Sequence, residues 1–239
     1  MLAAQHISKS VGTLPILRDV SVAVSPGTIT VVMGPSGGGK TTLLRAVSLL
    51  DPPTTGTVEI DEKSFSFPST ADYAPWPDVT IVFQQLFLWP HLTLRQNIEL
   101  PLKLRQRTVD AAELERGIDV FQLRDVIDNY PNQASTGERQ RAALLRATTL
   151  RPKYLLLDEV TSALDIEQVA VLLTELQALR AKGIGILLVT HLLSFARQTA
   201  DRVYFLERGE MVVEGSADIL THPKHPRLQQ FLSRVAAAM

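Results

Sequence analysis

Eight residues, GPSGGGKT at positions 34–41, constrain this chain more than any others. They match G-x-x-x-x-G-K-[S/T] and directly join a run of strand character, TITVVM (28–33), to a helical pattern from Lys40 to about Leu50. In that context the loop cradles phosphate. In the loop Gly34 to Gly39, which includes Pro35 (a residue with no N–H to give), the backbone N–H groups of Gly34, Ser36, Gly37, Gly38 and Gly39 can turn towards phosphate oxygens where glycine permits it, and the helix N-terminus adds its partial positive charge. Lys40 reaches the outer phosphates, the Thr41 hydroxyl is a ligand for Mg²⁺, and Thr42 continues the cradle. A glycine-rich strand-to-helix connection arising by chance is the bland alternative, and four fixed positions in the required context favour the phosphate site.

The rest of the pattern supplies a sheet for that loop. DVSVAV (19–24) and TVEI (57–60) read as strands, with a Pro26-Gly27 turn between the first of them and TITVVM. Residues 61–78, rich in Ser, Pro and Asp, read as a loop, and Arg95 to Leu150 as helical with interruptions at Pro101, Gly117 and Pro131. YLLL (154–157) and ILLVT (186–190) are too apolar for anything but strands buried on both faces. Between them, Val169, Leu172, Leu173, Leu176 and Leu179 fall at helical spacing. That order, β-α-β, predicts an α/β core with a parallel sheet. VYFLERGEMVVEG predicts a hairpin turning at Arg208-Gly209, and a final helix begins near Arg227.

A second acidic element follows the first buried strand. Asp158 and Glu159 end YLLLDE, which brings them out at the sheet edge where open α/β folds bind ligands. Asp158 there can hold Mg²⁺ and Glu159 can face an attacking water, whereas an acidic pair alone is as often a solvated loop or helix cap. His191, just after ILLVT, arrives at the same edge; a lone His after a strand is usually structural, but beside a phosphate loop contact with the γ-phosphate is favoured. Composition narrows the alternatives. Lys and Arg total 24 against 25 Asp and Glu, so no basic excess points to nucleic acid, and the absence of Cys excludes disulfides and thiolate chemistry. MLAAQHISKS lacks the apolar core of a signal peptide, and no run approaches the ~20 apolar residues of a membrane span. Any membrane contact is therefore expected through another protein.

Six elements in order, GPSGGGKT, IVFQQLFLWPHLTLRQNI, ASTGERQR, YLLLDE, TSALD and the His of LLVTH, resemble the nucleotide-binding subunits of ABC transporters over nearly the whole chain. The resemblance implies one domain over residues 1–239: a P-loop NTPase core with a small antiparallel β subdomain (1–86 and 151–239) and an α-helical subdomain (87–150) carrying the signature motif. It implies ATP and Mg²⁺ as ligands, Gln84 as a sensor of metal and water, Asp165 at a dimer seam, and Ser135 and Gly137 facing the γ-phosphate of an opposing subunit. It further implies a homodimer or a pairing with a related ABC subunit, an integral membrane permease, and a place on the inner, cytoplasmic face of the cell membrane. HPKHPRLQQFLSRV is similar to tails of bacterial importers for polar amino acids, which would add a solute-binding protein, while NIELPL is similar to lipid or peptide exporters.

Several positions depart from the family pattern. Val11 stands where an aromatic residue commonly stacks on adenine, Val160 replaces a proline, and ASTGE replaces LSGGQ. Ser135 and Glu138 also form S-x-x-E, a capping box that folds the Glu138 carboxylate onto the helix N-terminus, where it competes with phosphate and predicts slow hydrolysis. LFLWPHLTL (86–94) is either a docking surface for a membrane helix or an apolar entry to the helical segment. His222 and His225 read as surface residues, and Arg139 to Arg146 as a solvated helix face. Two other readings remain: a soluble ABC ATPase acting on DNA or the ribosome, and a weakly catalytic nucleotide-binding regulator.

Overall fold

The computed structural model describes residues 1–69, 73, 75–105, 110–161 and 164–237. Two sheets organise them. Strands β1 (Leu2–Val11), β2 (Leu14–Val24), β4 (Thr55–Ile60) and β5 (Lys63–Phe67) form an antiparallel sheet in the order β2-β1-β4-β5. The larger sheet runs β10-β9-β3-β8-β7-β6, built from β3 (Ile29–Met33), β6 (Val79–Val82), β7 (Tyr154–Asp158), β8 (Gly185–Val189), β9 (Arg202–Glu207) and β10 (Glu210–Gly215). All its neighbours are parallel except the edge hairpin β9–β10.

The apolar runs are continuous because alternate residues serve two different cores. Ile29, Val31 and Met33 of β3, Leu155 and Leu157 of β7, and Ile186 and Leu188 of β8 pack on one face with the helices α2 (Leu94–Leu104), α3 (Ala111–Val120), α4 (Thr136–Thr148) and α5 (Ile166–Ala181). Val32, Leu156, Leu187 and Val189 face the other way, onto α1 (Lys40–Val47) and the antiparallel sheet. A one-residue slip in any central strand would exchange the two sets. Helices α6 (Leu193–Thr199) and α7 (Pro226–Ala237) complete the chain.

The sheets are tied by Asp61, in the turn between β4 and β5, which accepts hydrogen bonds from the Tyr154 hydroxyl (2.5 Å) and the Lys153 ammonium (2.9 Å) at the start of β7. Those bonds hold its carboxyl well below the usual carboxylate range and push the Tyr154 hydroxyl up, burial contributing most to the latter.

Several expectations need correction. Residues 61–78 are not all loop: Lys63–Phe67 is the edge strand β5, in which only Phe67 is buried, so it carries little hydrophobic signal; residues 70–72 and 74 lie outside the described residues. Pro101 does not interrupt α2 but falls in its last turn, where the N–H it lacks forfeits one bond only. Gly117 lies inside α3, where a Cβ would stand 2.5 Å from Leu145 Cδ1, so the glycine permits close contact with α4. Pro131 opens a short 3-10 turn before α4, but the helical run has already ended at Val120. Strands β1 and β6 are not among the expected elements, although β6, VTIV, is β-branched throughout.

Asp61→Asn should cost about 1 kcal/mol at pH 7, the worth of a charge-assisted bond on a partly exposed group. Because the folded-state pKa is depressed, the contribution is complete above the unfolded value near 3.8 and fades as pH falls below it. Urea melts at pH 7 and pH 3 should show the gap between variant and parent narrowing.

Candidate nucleotide site

Four parallel strands deliver the candidate residues to one edge. Register pairs Val32 with Val189, Asp158 with Val189, and Val82 with Leu157, so the segments after β3, β8, β7 and β6 leave the sheet on the same side. The phosphate loop follows β3, Asp158 ends β7 with Glu159 next, His191 lies two residues past β8, and Gln84 two past β6.

The loop's shape depends on glycine. Gly34 has φ 155°, and a Cβ there would sit 1.9 Å from the carbonyl oxygen of Leu206 on β9. Gly38 donates to the Pro35 carbonyl (3.1 Å), tightening the turn, and Gly39, at φ 101°, precedes α1 without a side-chain cap. The first amides of α1 therefore point from a helix N-terminus into the loop, as anion binding requires. Ser36 and Gly37 are exposed at the rim. Lys40 is 7% exposed; its ammonium donates to the carbonyls of Gly34 (3.0 Å) and Pro35 (2.9 Å). Burial pushes its pKa down, opposed by the charges of Glu159 and Asp158.

Thr41 and Asp158 meet directly. The Thr41 hydroxyl donates to Asp158 Oδ2 at 2.7 Å, joining the first turn of α1 to the end of β7. Burial raises the Asp158 pKa and Glu159 raises it further, while the Thr41 bond opposes both. A hydroxyl and a buried carboxylate at this distance are two hard oxygen donors, a set that suits Mg²⁺. Glu159 is held in the left-handed region, φ 49°, by a bond from its N–H to the Val189 carbonyl (2.9 Å), and its carboxylate lies 3.9 Å from His191 Nδ1. A non-glycine residue in that conformation is uncommon and marks a position fixed by its surroundings.

Of the other candidates, Gln84 and Thr42 stand beside this edge and the rest lie on other elements. Gln84 is exposed and makes no hydrogen bond with Thr41 or Asp158. Val11 ends β1, 63% exposed, paired with Leu14. Thr42 is half-buried in α1. Ser135 caps α4 in the expected box: its Oγ accepts from the Glu138 N–H (3.2 Å), and its own N–H donates to Glu138 Oε2 (2.7 Å). Gly137 is buried against α5, where a Cβ would stand 2.7 Å from Gln168 Oε1. Asp165 caps α5 by accepting from the Gln168 N–H (2.8 Å); Ser162 and Ala163 lie outside the described residues. His222 and His225 are exposed, against Asp218 and the Arg227 N–H respectively.

The basic run of α4 is not a solvated face. Arg141 is buried and donates to the Phe121 carbonyl (2.8 Å); Arg146 donates to the carbonyls of Leu86 (2.8 Å) and Phe87 (2.9 Å) and lies over Trp89. Arginines here satisfy backbone oxygens that an apolar helix would strand. Gln140, also missed, is buried and donates to the Val160 carbonyl, linking α4 to the residue after Glu159. Between Arg139 and Arg141, Gln140 reads as one more polar residue of a charged run, and no local signal exposes it.

Comparison with known proteins matches residues 17–162 to the family described as ABC transporter. The chain belongs to that family and is an ATPase of its cassette type. It is 35% identical to the arginine transport ATP-binding protein ArtM of Bacillus subtilis, over 98% of this chain and 100% of that protein. It is 34% identical to the glutamine transport ATP-binding protein GlnQ of Escherichia coli, over 99% and 100%. Among solved structures, the cassette MJ0796, described as a dimer in a post-hydrolysis state bound to ADP and Pi, superposes with TM-score 0.82 at 30% identity, covering 91% of this chain and 99% of that one.

Gly34→Ala should destabilise the fold by about 2–3 kcal/mol, since the clash is with backbone, whereas Gly37→Ala, whose Cβ meets nothing within 4 Å, should cost only ~1 kcal/mol for its positive φ. Chemical denaturation of the two variants checks the contrast.

Proposed function

We propose that this chain is the ATP-hydrolysing subunit of an importer for polar amino acids, paired with a second cassette and seated beneath an integral membrane permease at the inner face of the membrane. The observation that carries the reading is the Thr41–Asp158 bond, with Glu159 and His191 beside it at the edge that holds the phosphate loop. The names of ArtM and GlnQ support amino acids as cargo, and with them a solute-binding protein that delivers it. The dimeric description of MJ0796 supports pairing, in which Ser135 and Gly137 of one subunit would meet the nucleotide of the other and Asp165 would lie at the seam.

Each residue then has a defined task. The loop amides and Lys40 bind the β- and γ-phosphates, Lys40 exchanging its present carbonyl acceptors for phosphate oxygens. Thr41 and Asp158 would hold Mg²⁺, with Gln84 completing the set; when bound, the ion neutralises charge on the phosphate oxygens. Glu159 orients and deprotonates the water, and its fixed backbone keeps the carboxylate aimed. His191 contacts the γ-phosphate from the end of β8, beside Glu159. Glu138, already engaged at the α4 N-terminus, places negative charge where a phosphate would come and so supports slow turnover.

A groove of about 720 Å³ between the helical segment 87–150 and the core supports the permease contact. It is lined by Leu86, Phe87, Trp89, Trp76, Leu104 and the stem of Arg146, and Phe87 and Trp89 remain 54% and 39% exposed. The LFLWPHLTL run thus divides: Leu86, Leu88 and Leu94 pack on the core, while Phe87 and Trp89 face outward to receive a short apolar helix.

Steady-state ATPase assays test the reading. Glu159→Gln should lower kcat by ~10²-fold or more with ATP still bound, and Glu138→Gln should raise it. A Glu159→Gln protein that turns over like its parent removes Glu159 from the chemistry.

A further inference from the structure

The phosphate loop is braced from behind by the β9–β10 hairpin. Its turn, Arg208-Gly209, has both residues at positive φ, 51° and 79°. The Gly209 N–H donates to the Gly38 carbonyl (3.1 Å), and the Gly209 carbonyl accepts from the Arg18 N–H of β2 (2.8 Å). On the strand before the turn, the Leu206 carbonyl abuts Gly34 so closely that no Cβ fits between them, and the Glu207 Cα passes 3.8 Å from a Cβ position on Gly38. Two glycines of the loop thus lie directly on this hairpin, and a shift of its backbone is a shift of theirs.

What fixes the hairpin from its far side is the C-terminal helix. Arg227, in the first turn of α7, grips Glu207 with two nitrogens: Nε to Oε2 at 2.6 Å, and a second bond from Nη2 to Oε1. The Glu207 side chain is only 14% exposed, and Arg227 holds its carboxyl below the usual range. A second contact on the same strand, Phe205 against Phe231 with centroids 5.0 Å apart, keeps α7 in register with β9. Without the guanidinium a half-buried carboxylate would lose its partner and be drawn towards water, and with it the end of β9 and the turn at Gly209.

The geometry points to Glu207 and Arg227 as positioning residues that set phosphate-loop geometry through the hairpin turn, and so determine nucleotide affinity without touching nucleotide. The inference rests on the reading that the loop binds ATP. It separates binding from chemistry, because Asp158 and Glu159 come at the end of β7 and His191 after β8, away from the hairpin.

The test is calorimetric titration with Mg-ATP and Mg-ADP, alongside steady-state ATPase, on the full chain. Arg227→Gln and Glu207→Gln should each weaken both nucleotides by about 5–10-fold, with kcat at saturating ATP within about twofold of the parent. Arg227→Lys, which keeps charge but not the fork, should fall between. The exchanged pair Glu207→Arg with Arg227→Glu should recover affinity to within about twofold. Single variants that bind nucleotide like the parent overturn the inference, as does a loss shared equally by kcat and not recovered by the exchange. A parent protein that binds no ATP sinks the underlying reading instead.

Discussion

One hydrogen bond organises the site: the Thr41 hydroxyl on Asp158, 2.7 Å long, between the first helical turn after the phosphate loop and the end of a central strand. Neither partner is independent of the fold. Thr41 is placed by α1, whose apolar side packs between the two sheets, and Asp158 by β7, whose alternate residues fill both cores. Everything else at the edge is positioned relative to this pair. The phosphate loop precedes Thr41 and Glu159 follows Asp158, and His191 is reached through the Glu159 N–H bond to β8.

That arrangement stores an electrostatic conflict. Asp158 is 3% exposed, with Glu159 beside it, and its pKa is raised, so its ionised form is disfavoured where it sits. Lys40 suffers the converse penalty. A site that buries opposite charges without pairing them directly costs stability, and gains it back when a ligand carrying both a divalent cation and phosphate supplies the missing partners. Tight coupling between ligand binding and stability follows from the same groups that would perform the chemistry.

The core of this was legible in the sequence because its signals are local. Glycines at forced positions, apolar strands of five residues, and acids at their ends each report their own environment, and GPSGGGKT, YLLLDE and LLVTH fell on one edge as their order required. The Ser135–Glu138 capping box was legible for the same reason. What stayed hidden depends on partners distant in sequence. The edge strand β5 buries one side chain and so lacks a period; Arg141 and Arg146 look like surface charge until the carbonyls they satisfy, 20 and about 60 residues away, are in place. Gln140 and the Glu207–Arg227 brace are hidden likewise, since no spacing rule announces a side chain whose acceptor is another element.

In the proposed function the Thr41–Asp158 edge binds ATP together with Mg²⁺. Isothermal calorimetry of the purified chain with ATP, in Mg²⁺ and again with the metal chelated, tests it most directly when run beside Asp158→Asn. Binding with Mg²⁺ should weaken at least tenfold, about 1.4 kcal/mol, on chelation, and the Asp158→Asn protein should be indifferent to the metal. ATP bound equally well with and without Mg²⁺ by the unaltered chain would contradict it.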